Sequence, residues 1–291
     1  MMIGEVRARQ GIRWARKRTK RLSARSSVVL LTLRNRFSSG QIVAGTPVVV
    51  SLTSYGHRIT RVHLAIESIG RGSLKPGRII LWLDDPAAFG NLPKELVRLQ
   101  RRGLDIRLTD NLGPHTKYYP YVSSLAEHQL PLVTADDDVV YPRHWLRTLH
   151  GSYLANPGDI SCHWANRVKT VRNSIAGYQQ WLPCRTTAAR SDHFALGVSG
   201  VIYPPLMLDA LARFGTRFTV VSPTADDIWL HWVALQTGLR IRQVSATPRH
   251  FPLLPGTQQV TLRAGNVELN GNDRWIQGLY TAEDLELLEA A

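Results

Sequence analysis

Two acidic clusters contain the residues best suited to chemistry in this sequence of 291 residues. Asp136, Asp137 and Asp138 follow the apolar residues 131–133 and Thr134, and a second pair stands at 226 and 227. In an extended segment alternate side chains point the same way, so we expect Asp136 and Asp138 to converge. Two convergent carboxylates suit a hard divalent cation such as Mg²⁺ or Mn²⁺. A cation held by only these two side chains would keep coordination positions open for the oxygens of a diphosphate.

Each cluster also has a simpler interpretation as part of a helix start. Aspartates cap helices well, and a helix is predicted from Pro142. Ser222 and Pro223 have the residue types of an N-cap and a first helical position, so Asp226 and Asp227 would be first-turn acids that favour the helix dipole. Three adjacent aspartates repel one another, and a helix cap alone would not require all three. The first cluster therefore favours a metal site. For the second pair, local physics favours the helix start.

The elements that must position these acids alternate between strands and helices. Strands are predicted at 48–52, 78–83, 104–108, 132–134, 160–167, 197–203 and 239–244, and helices at 61–69, 93–103, 118–128, 142–154, 206–214, 223–236 and 282–291. This spacing predicts an α/β fold with a largely parallel sheet, covered by helices on both faces, and a mixed second half. Ligands of such sheets bind at the carboxyl ends of the strands, where the first acidic cluster lies.

Charge separates a tail from a body. The chain has 36 Lys and Arg against 22 Asp and Glu, a net charge of +14. Residues 1–36 hold 11 basic residues and Glu5, a net of +10, which leaves 25 basic and 21 acidic residues, a net of +4, in the remainder. We therefore predict a basic tail over 1–46 and one catalytic domain over 47–291. The tail is interpreted as a solvated arm, as a segment that binds an anionic membrane surface, or as a nucleic-acid contact, the last being disfavoured by the balanced body.

Composition excludes several other classes. A hydrophobic content of 44% excludes global disorder, and the longest apolar run, 28–33, is far below the roughly 20 residues that span a bilayer. Cys162 and Cys184 are too few for a cysteine zinc site or a disulfide framework, so a reducing cytoplasmic location is predicted, peripheral on the inner membrane face if the tail binds lipid. Dinucleotide, P-loop, zincin and α/β-hydrolase motifs are absent from the sequence.

Five segments in a fixed order resemble a bacterial glycosyltransferase of the GT-A type, similar to family 2. They are SLTSY at 51–55, LKPGRIILWLDD at 74–85, VTADDDVVYP at 133–142, GVSGVIYPP at 197–205 and SPTADDIWL at 222–230. The resemblance implies a GT-A-like, Rossmann-like fold and a metal-dependent, inverting transfer of a sugar from a nucleotide-diphosphate sugar to a hydroxyl of a glycan or glycolipid.

The resemblance also implies a role for each matching position. The donor nucleotide would contact Ser51, Thr53, Tyr55, Asp84, Lys117, Asp136 and Asp137; Mn²⁺ or Mg²⁺ would bind Asp136, Asp138 and His250; the acceptor side would include Gly197, Gly200 and Trp229; and Asp226, or else Asp227, would be the catalytic base. Simpler alternatives remain at this stage: a surface lysine at 117, a β-bulge at 197–200, an exposed loop histidine at 250 and a core role for Trp229. The first loop departs from the family by carrying Arg58 instead of an acid, which makes Arg58 a candidate phosphate contact.

Two other functions compete with this prediction. A sugar nucleotidyltransferase also uses metal and carboxylates, but it usually carries a glycine-rich basic loop after its first strand, which residues 54–58 match poorly. A non-catalytic, membrane-associated binding protein would not need two separate acidic clusters at loop positions.

Overall fold

The protein was analysed as a computed structural model that describes residues 26–172, 174–257 and 271–289. Most of the predicted basic tail, residues 1–25, therefore lies outside the described residues. The same holds for residues 258–270 and for the last two residues of the predicted terminal helix.

A mixed sheet of eight strands forms the centre of the molecule. The described strands are β1 (Thr46–Thr53), β2 (Pro76–Leu83), β3 (Leu104–Leu108), β4 (Leu132–Thr134), β5 (Ile160–Cys162), β6 (Ala165–Arg167), β7 (Leu182–Pro183), β8 (Ala189–Arg190), β9 (His193–Ala195), β10 (Val201–Tyr203) and β11 (Ile241–Gln243). The large sheet has the order β3-β2-β1-β4-β10-β5-β11-β8, and β7-β6-β9 form a small antiparallel sheet. β3, β2, β1 and β4 are parallel, β5 and β11 are parallel, and β10 runs against both of its neighbours. The predicted mixed, mostly parallel sheet is confirmed.

Helices cover both faces of this sheet, as predicted. They are α1 (26–37), α2 (Val62–Gly70), α3 (Pro86–Gly90), α4 (Lys94–Gln100), α5 (Tyr119–Ser123), α6 (Trp145–Ala155), α7 (Pro205–Phe214), α8 (Phe218–Val221), α9 (Asp226–Gln236), α10 (Gly271–Leu279) and α11 (Ala282–Glu289). Alternation along β1 explains the two layers, because Val48, Val50 and Leu52 join the core of α2, α4 and α6, whereas Val49 joins that of α5, α7 and α9. No helix in the described part of the chain is both long and apolar enough to cross a membrane.

Three predicted elements differ from the structure. The helix expected over 118–128 is only α5, and the strand expected over 160–167 is split between β5 and β6, which belong to different sheets. The strand expected from Gly197 starts instead at Val201, after a short 3₁₀ turn. Gly200 ends that turn with φ +94°, and a Cβ there would lie 2.5 Å from Trp145 Nε1. This glycine therefore serves the packing of Trp145 and is not part of a β-bulge.

The described end of the predicted tail is folded onto the body. Leu31 of α1 packs with Leu64, Val140 and Leu254 in a small apolar cluster. On the next turn, Asn35 donates to the carboxylate of Glu67, which is fully buried and also pairs with Arg34 and Arg102. A buried carboxylate is stable only when it is paired, so these contacts fix α1 to α2.

Candidate functional site

The three aspartates after β4 pair with two cations, Lys117 and Arg58. Asp136 Oδ1 lies 3.1 Å from Lys117 Nζ. Arg58 reaches both other acids, with Nη1 2.8 Å from Asp137 Oδ1 and Nη2 3.2 Å from Asp138 Oδ2. Asp136 and Asp138 thus contact different cations, and their convergence on one metal stays a prediction. β4 ends at Thr134 and the chain turns at 137–138, so strand alternation cannot support that prediction.

This acidic turn, residues 135–138, is held by backbone contacts from three directions. The N–H of Ala135 donates to the carbonyl of Ser51 at 3.0 Å, which continues the pairing of β1 with β4. The N–H of Asp136 donates to the hydroxyl of Tyr141 at 2.8 Å, and the carbonyl of Asp138 accepts from Leu254 at 2.7 Å. The carboxylates are thus displayed on a fixed backbone at the carboxyl end of β4.

The loop after β1 brings a hydroxyl and a cation to the same place. Ser54 Oγ donates to Asp137 Oδ2 at 2.6 Å, beside the Arg58 contact. Burial alone would lower the pKa of Arg58, but the charges of Asp137 and Asp138 raise it. Tyr55 is 43% exposed, and its ring lies 5.6 Å from the Arg58 guanidinium. Arg58 is therefore central to this loop, where the sequence indicated it as a departure from the family and as a candidate phosphate contact.

The predicted nucleotide-binding residues do not all reach this surface. Ser51 is buried, and its hydroxyl accepts from Trp82 Nε1 at 2.9 Å, while Thr53 Oγ1 donates to the Trp82 carbonyl at 3.1 Å. Both side chains stabilise the contact between β1 and β2. Asp84 is partly exposed at the end of β2, and its neighbour Asp85 caps α3. Tyr55 and Asp84 thus remain accessible, whereas Ser51 is a core residue.

The second acidic pair opens α9 directly. The helix begins at Asp226 with Ala225 as its N-cap, and no side chain caps it. Ser222, predicted as the N-cap, instead donates its hydroxyl to the carbonyl of Ala225 at 2.7 Å. The predicted helix start at Pro223 is thus three residues too early. Asp226 and Asp227 occupy the first turn, where the positive end of the helix dipole favours carboxylates.

Lys117 joins the two acidic clusters. Its Nζ lies 3.1 Å from Asp136 Oδ1 and 3.0 Å from Asp226 Oδ2, and its side chain is only 11% exposed. Desolvation would lower its pKa, but the charges of Asp136 and Asp226, followed by Asp227, hold the pKa well above the usual range. The solvated surface lysine is therefore excluded, and Lys117 is a buried ammonium between carboxylates from the two halves of the chain.

Gly197 closes the site beside Asp227. Its N–H donates to Asp227 Oδ1 at 3.0 Å. A Cβ at this position would lie 2.9 Å from the same oxygen and 3.3 Å from Lys117 Nζ. Gly197 thus provides a backbone donor at a distance that a residue with a side chain could not reach without displacing these two groups.

Asp227 has a pKa raised well above that of an ordinary carboxyl group. Desolvation, followed by the charge of Asp226, raises its pKa to about 8, against the opposing effects of Lys117 and the Gly197 N–H. The residue nevertheless keeps some exposed surface. A carboxylate that titrates near neutral pH and is accessible has the properties of a general acid or base.

His115 positions Lys117 and was missed by the sequence analysis. It is fully buried and stacks on Phe218, with ring centroids 4.1 Å apart. Burial lowers its pKa to about 4, so the ring is neutral. Its nitrogens lie 2.7 Å from the hydroxyl of Tyr118 and 2.8 Å from the carbonyl of Ser222. Since a carbonyl only accepts, Nε2–H donates to Ser222 and Nδ1 accepts from Tyr118, which ties the turn of Lys117 to the segment before α9.

Two predicted site residues lie elsewhere. Trp229 has no exposed surface and packs against Trp232 and Phe214, so it is a core residue and not an acceptor contact. The ring of His250 lies 3.7 Å from that of Trp164. Within the described ranges, no group of three or more His, Cys, Asp and Glu side chains is arranged to hold a metal. The expected third ligand is thus not assembled with Asp136 and Asp138.

The remaining acids still fit a divalent cation by their chemistry. Carboxylate oxygens are the donors that Mg²⁺ and Mn²⁺ prefer, and Mg²⁺ is commonly bound through one or two carboxylates plus substrate phosphates. The side chain of Asp136 is 26% exposed, and Asp138 stands two residues away on the same fixed turn. These two acids therefore suit a cation that takes its other ligands from a substrate.

By sequence, no protein-family profile and no curated protein matches this chain. Solved structures that are similar in fold include two enzymes. A mannosyltransferase from Pyrobaculum calidifontis, in complex with GDP-mannose and Mn²⁺, matches at 14% identity and a TM-score of 0.46, over 77% of this chain and 64% of its own. The chain thus spans less than two thirds of that protein. A CMP:2-keto-3-deoxy-manno-octonic acid synthetase complexed with CTP matches at 12% identity and a TM-score of 0.44, over 77% of this chain and 100% of its own. At TM-scores below 0.5, neither likeness carries an argument for function.

Proposed function

We propose that this protein is a glycosyltransferase that moves a sugar from a nucleotide-diphosphate sugar to a hydroxyl of a glycan or glycolipid acceptor. The observation that carries the proposal is the position of Lys117, buried between Asp136 after β4 and Asp226 at the start of α9. One cation thereby links an acidic turn suited to a donor diphosphate with an acidic pair suited to accept a proton. Both lie at the carboxyl edge of parallel strands, where ligands of α/β proteins bind.

On the donor side, the charges are arranged for a diphosphate that becomes more negative as the sugar departs. Arg58 and Lys117 are fixed cations on either side of the acidic turn, and hydrogen bonds to their carboxylates hold them in place. Fixed charges stabilise developing charge without reorganisation. Asp136 and Asp138 would hold Mn²⁺ or Mg²⁺, which when bound supplies a Lewis acid for the diphosphate oxygens.

On the acceptor side, Asp227 is the better candidate for the base. Its pKa of about 8 gives the carboxylate enough basicity to take a proton from a hydroxyl as the new bond forms. Asp226, the first choice from the sequence, has one oxygen engaged by Lys117 and positions that cation. Attack by the acceptor from the face opposite the diphosphate would invert the anomeric carbon.

Paired substitutions test this assignment. We expect Asp227→Asn to lower turnover by roughly a hundredfold or more while donor binding, measured by calorimetry, changes little. Asp226→Asn should weaken donor binding as well, because it releases Lys117. Asp105→Asn is the matched control, since this partly exposed acid on β3 pairs only with surface arginines among the described residues. Near-normal turnover in Asp227→Asn would remove it as the base. Release of pyrophosphate from a nucleoside triphosphate and a sugar phosphate would instead identify a nucleotidyltransferase.

A further inference from the structure

The outward face of α1 exposes an apolar stripe. Val29 is 59% exposed, Leu30 59%, Leu33 48% and Phe37 71%. Pairs of these residues lie three, four, seven or eight positions apart in the sequence. Residues at such spacings lie on one side of a helix. The opposite side carries Leu31 and Asn35, which are buried against the body. The described residues thus cover the side of α1 that carries Leu31 and Asn35 and leave the apolar stripe uncovered.

Arg34 and Arg36 of α1 flank this stripe, and Arg71 of the body lies near Arg34 and Arg143. Arg34 and Arg36 stand between the apolar positions, and Arg36 lies over the ring of Phe37 at 5.3 Å. Desolvation, and then the like charges of Arg143 and Arg34, lower the pKa of Arg71. The buried Nε of Arg71 has no hydrogen-bond partner among the described residues. Arg34, Arg71 and Arg143 thus lie close together. Glu67 pairs with Arg34 in the same area.

We propose that α1, together with Arg71 and Arg143, is a docking face for an anionic lipid surface. Charge complementarity identifies the occupant, because the 25 residues that precede α1 contain nine Lys and Arg and one acid, a net of +8. Apolar residues on a helix in a basic surrounding insert between lipid headgroups while the arginines contact phosphates. The body contributes directly, so the surface extends beyond the basic tail.

The same helix stands close to the candidate active site. The cluster of Leu31, Leu64, Val140 and Leu254 connects α1 to the segment that follows the acidic turn. Leu254 donates its N–H to the carbonyl of Asp138 at 2.7 Å. This apolar cluster therefore connects the buried side of α1 to the backbone of the turn.

Vesicle co-sedimentation of the full-length chain tests the proposal. The unmodified protein should bind phosphatidylcholine vesicles that contain phosphatidylglycerol and should not bind pure phosphatidylcholine. The double variant Leu30→Ser/Phe37→Ser should bind the anionic vesicles about tenfold more weakly, and Arg143→Gln about fivefold. The matched control is Val220→Ser on α8, which is 78% exposed and lies on the opposite side of the sheet. It should bind as the unmodified protein does.

Three results would overturn the proposal. The first is equal binding to neutral and anionic vesicles. The second is unchanged binding of the double variant, with circular dichroism showing that it is folded, even if deletion of residues 1–25 abolishes binding. The third is a dimer, seen by light scattering, that the double variant dissociates without any change in vesicle binding, since the stripe would then bind a second copy of the chain.

Discussion

Removal of the buried ammonium of Lys117 is the most revealing perturbation of the site. In Lys117→Met, Asp136 and Asp226 each lose a partner at 3.1 and 3.0 Å, and Asp227 loses the nearby charge that opposes its protonation. Methionine keeps most of the volume of the side chain, so the change removes mainly charge. Breaking a buried ion pair by removal of one partner costs about 3–5 kcal/mol, because the other partner is left uncompensated. We expect a loss of that size in the free energy of unfolding at neutral pH.

The loss should depend on pH in a direction that the pKa values fix. A lysine whose pKa is raised by folding contributes stability throughout the range below its ordinary pKa, so the unmodified protein has this contribution at neutral pH. Without Lys117, the pKa of Asp227 rises further above about 8, and its protonation relieves part of the repulsion. The deficit should therefore be larger near roughly pH 9 than near roughly pH 6.

Urea unfolding at these two pH values measures the effect. Lys75→Met is the matched control, because Lys75 donates to the carbonyl of Gln41 and contacts no carboxylate in the described structure. It should change stability by no more than about 0.5 kcal/mol. The double variant Lys117→Met/Asp226→Asn should recover part of the loss. A deficit below about 1 kcal/mol, or one that does not change with pH, would refute the reasoning.

Three further predictions concern the same region. Turnover should rise about tenfold per pH unit below about pH 8 and level off above it, as Asp227 loses its proton; a flat rate profile from pH 6 to 9 would contradict this. Gly197→Ala should lower turnover at least about tenfold with little change in urea midpoint, because its Cβ would crowd Asp227 and Lys117 at the surface of the site. Gly200→Ala should instead lower stability by about 2 kcal/mol or more, since φ is +94° and the Cβ would meet the Trp145 ring; an unchanged urea midpoint would oppose this.

The first half of the fold was predictable because its strands are buried on both sides. β1 and β2 read as continuous apolar runs, and the sequence order of β1 to β4 with intervening helices requires parallel pairing. The acidic turn was placed correctly at the end of β4 for the same reason. Side-chain directions beyond Thr134 were not predictable, because they depend on a turn held by the hydroxyl of nearby Tyr141 and by Leu254 from a distant part of the chain.

Long-range contacts explain what the sequence did not reveal. His115 binds Ser222 across 107 residues, and Arg58 binds Asp137 across 79, and nothing local marks these pairings. The sequence did indicate a role for Ser54 in the site. This residue directly follows β1 and belongs to the segment 51–55, which carries part of the family resemblance. The assignment of Trp229 to the acceptor side was wrong, because aromatic residues occur both in cores and on sugar-binding surfaces. Only the burial of the side chain distinguishes the two roles.

The most direct test of the proposed activity is a donor panel. Purified full-length protein is incubated with UDP-, GDP-, CMP- and dTDP-sugars, with and without Mn²⁺, and release of the free nucleotide is measured beside Asp227→Asn. We predict release of a nucleoside diphosphate from at least one donor, dependent on Mn²⁺ and reduced roughly a hundredfold in the variant. No release from any donor, with no binding of any donor by calorimetry, would contradict the account.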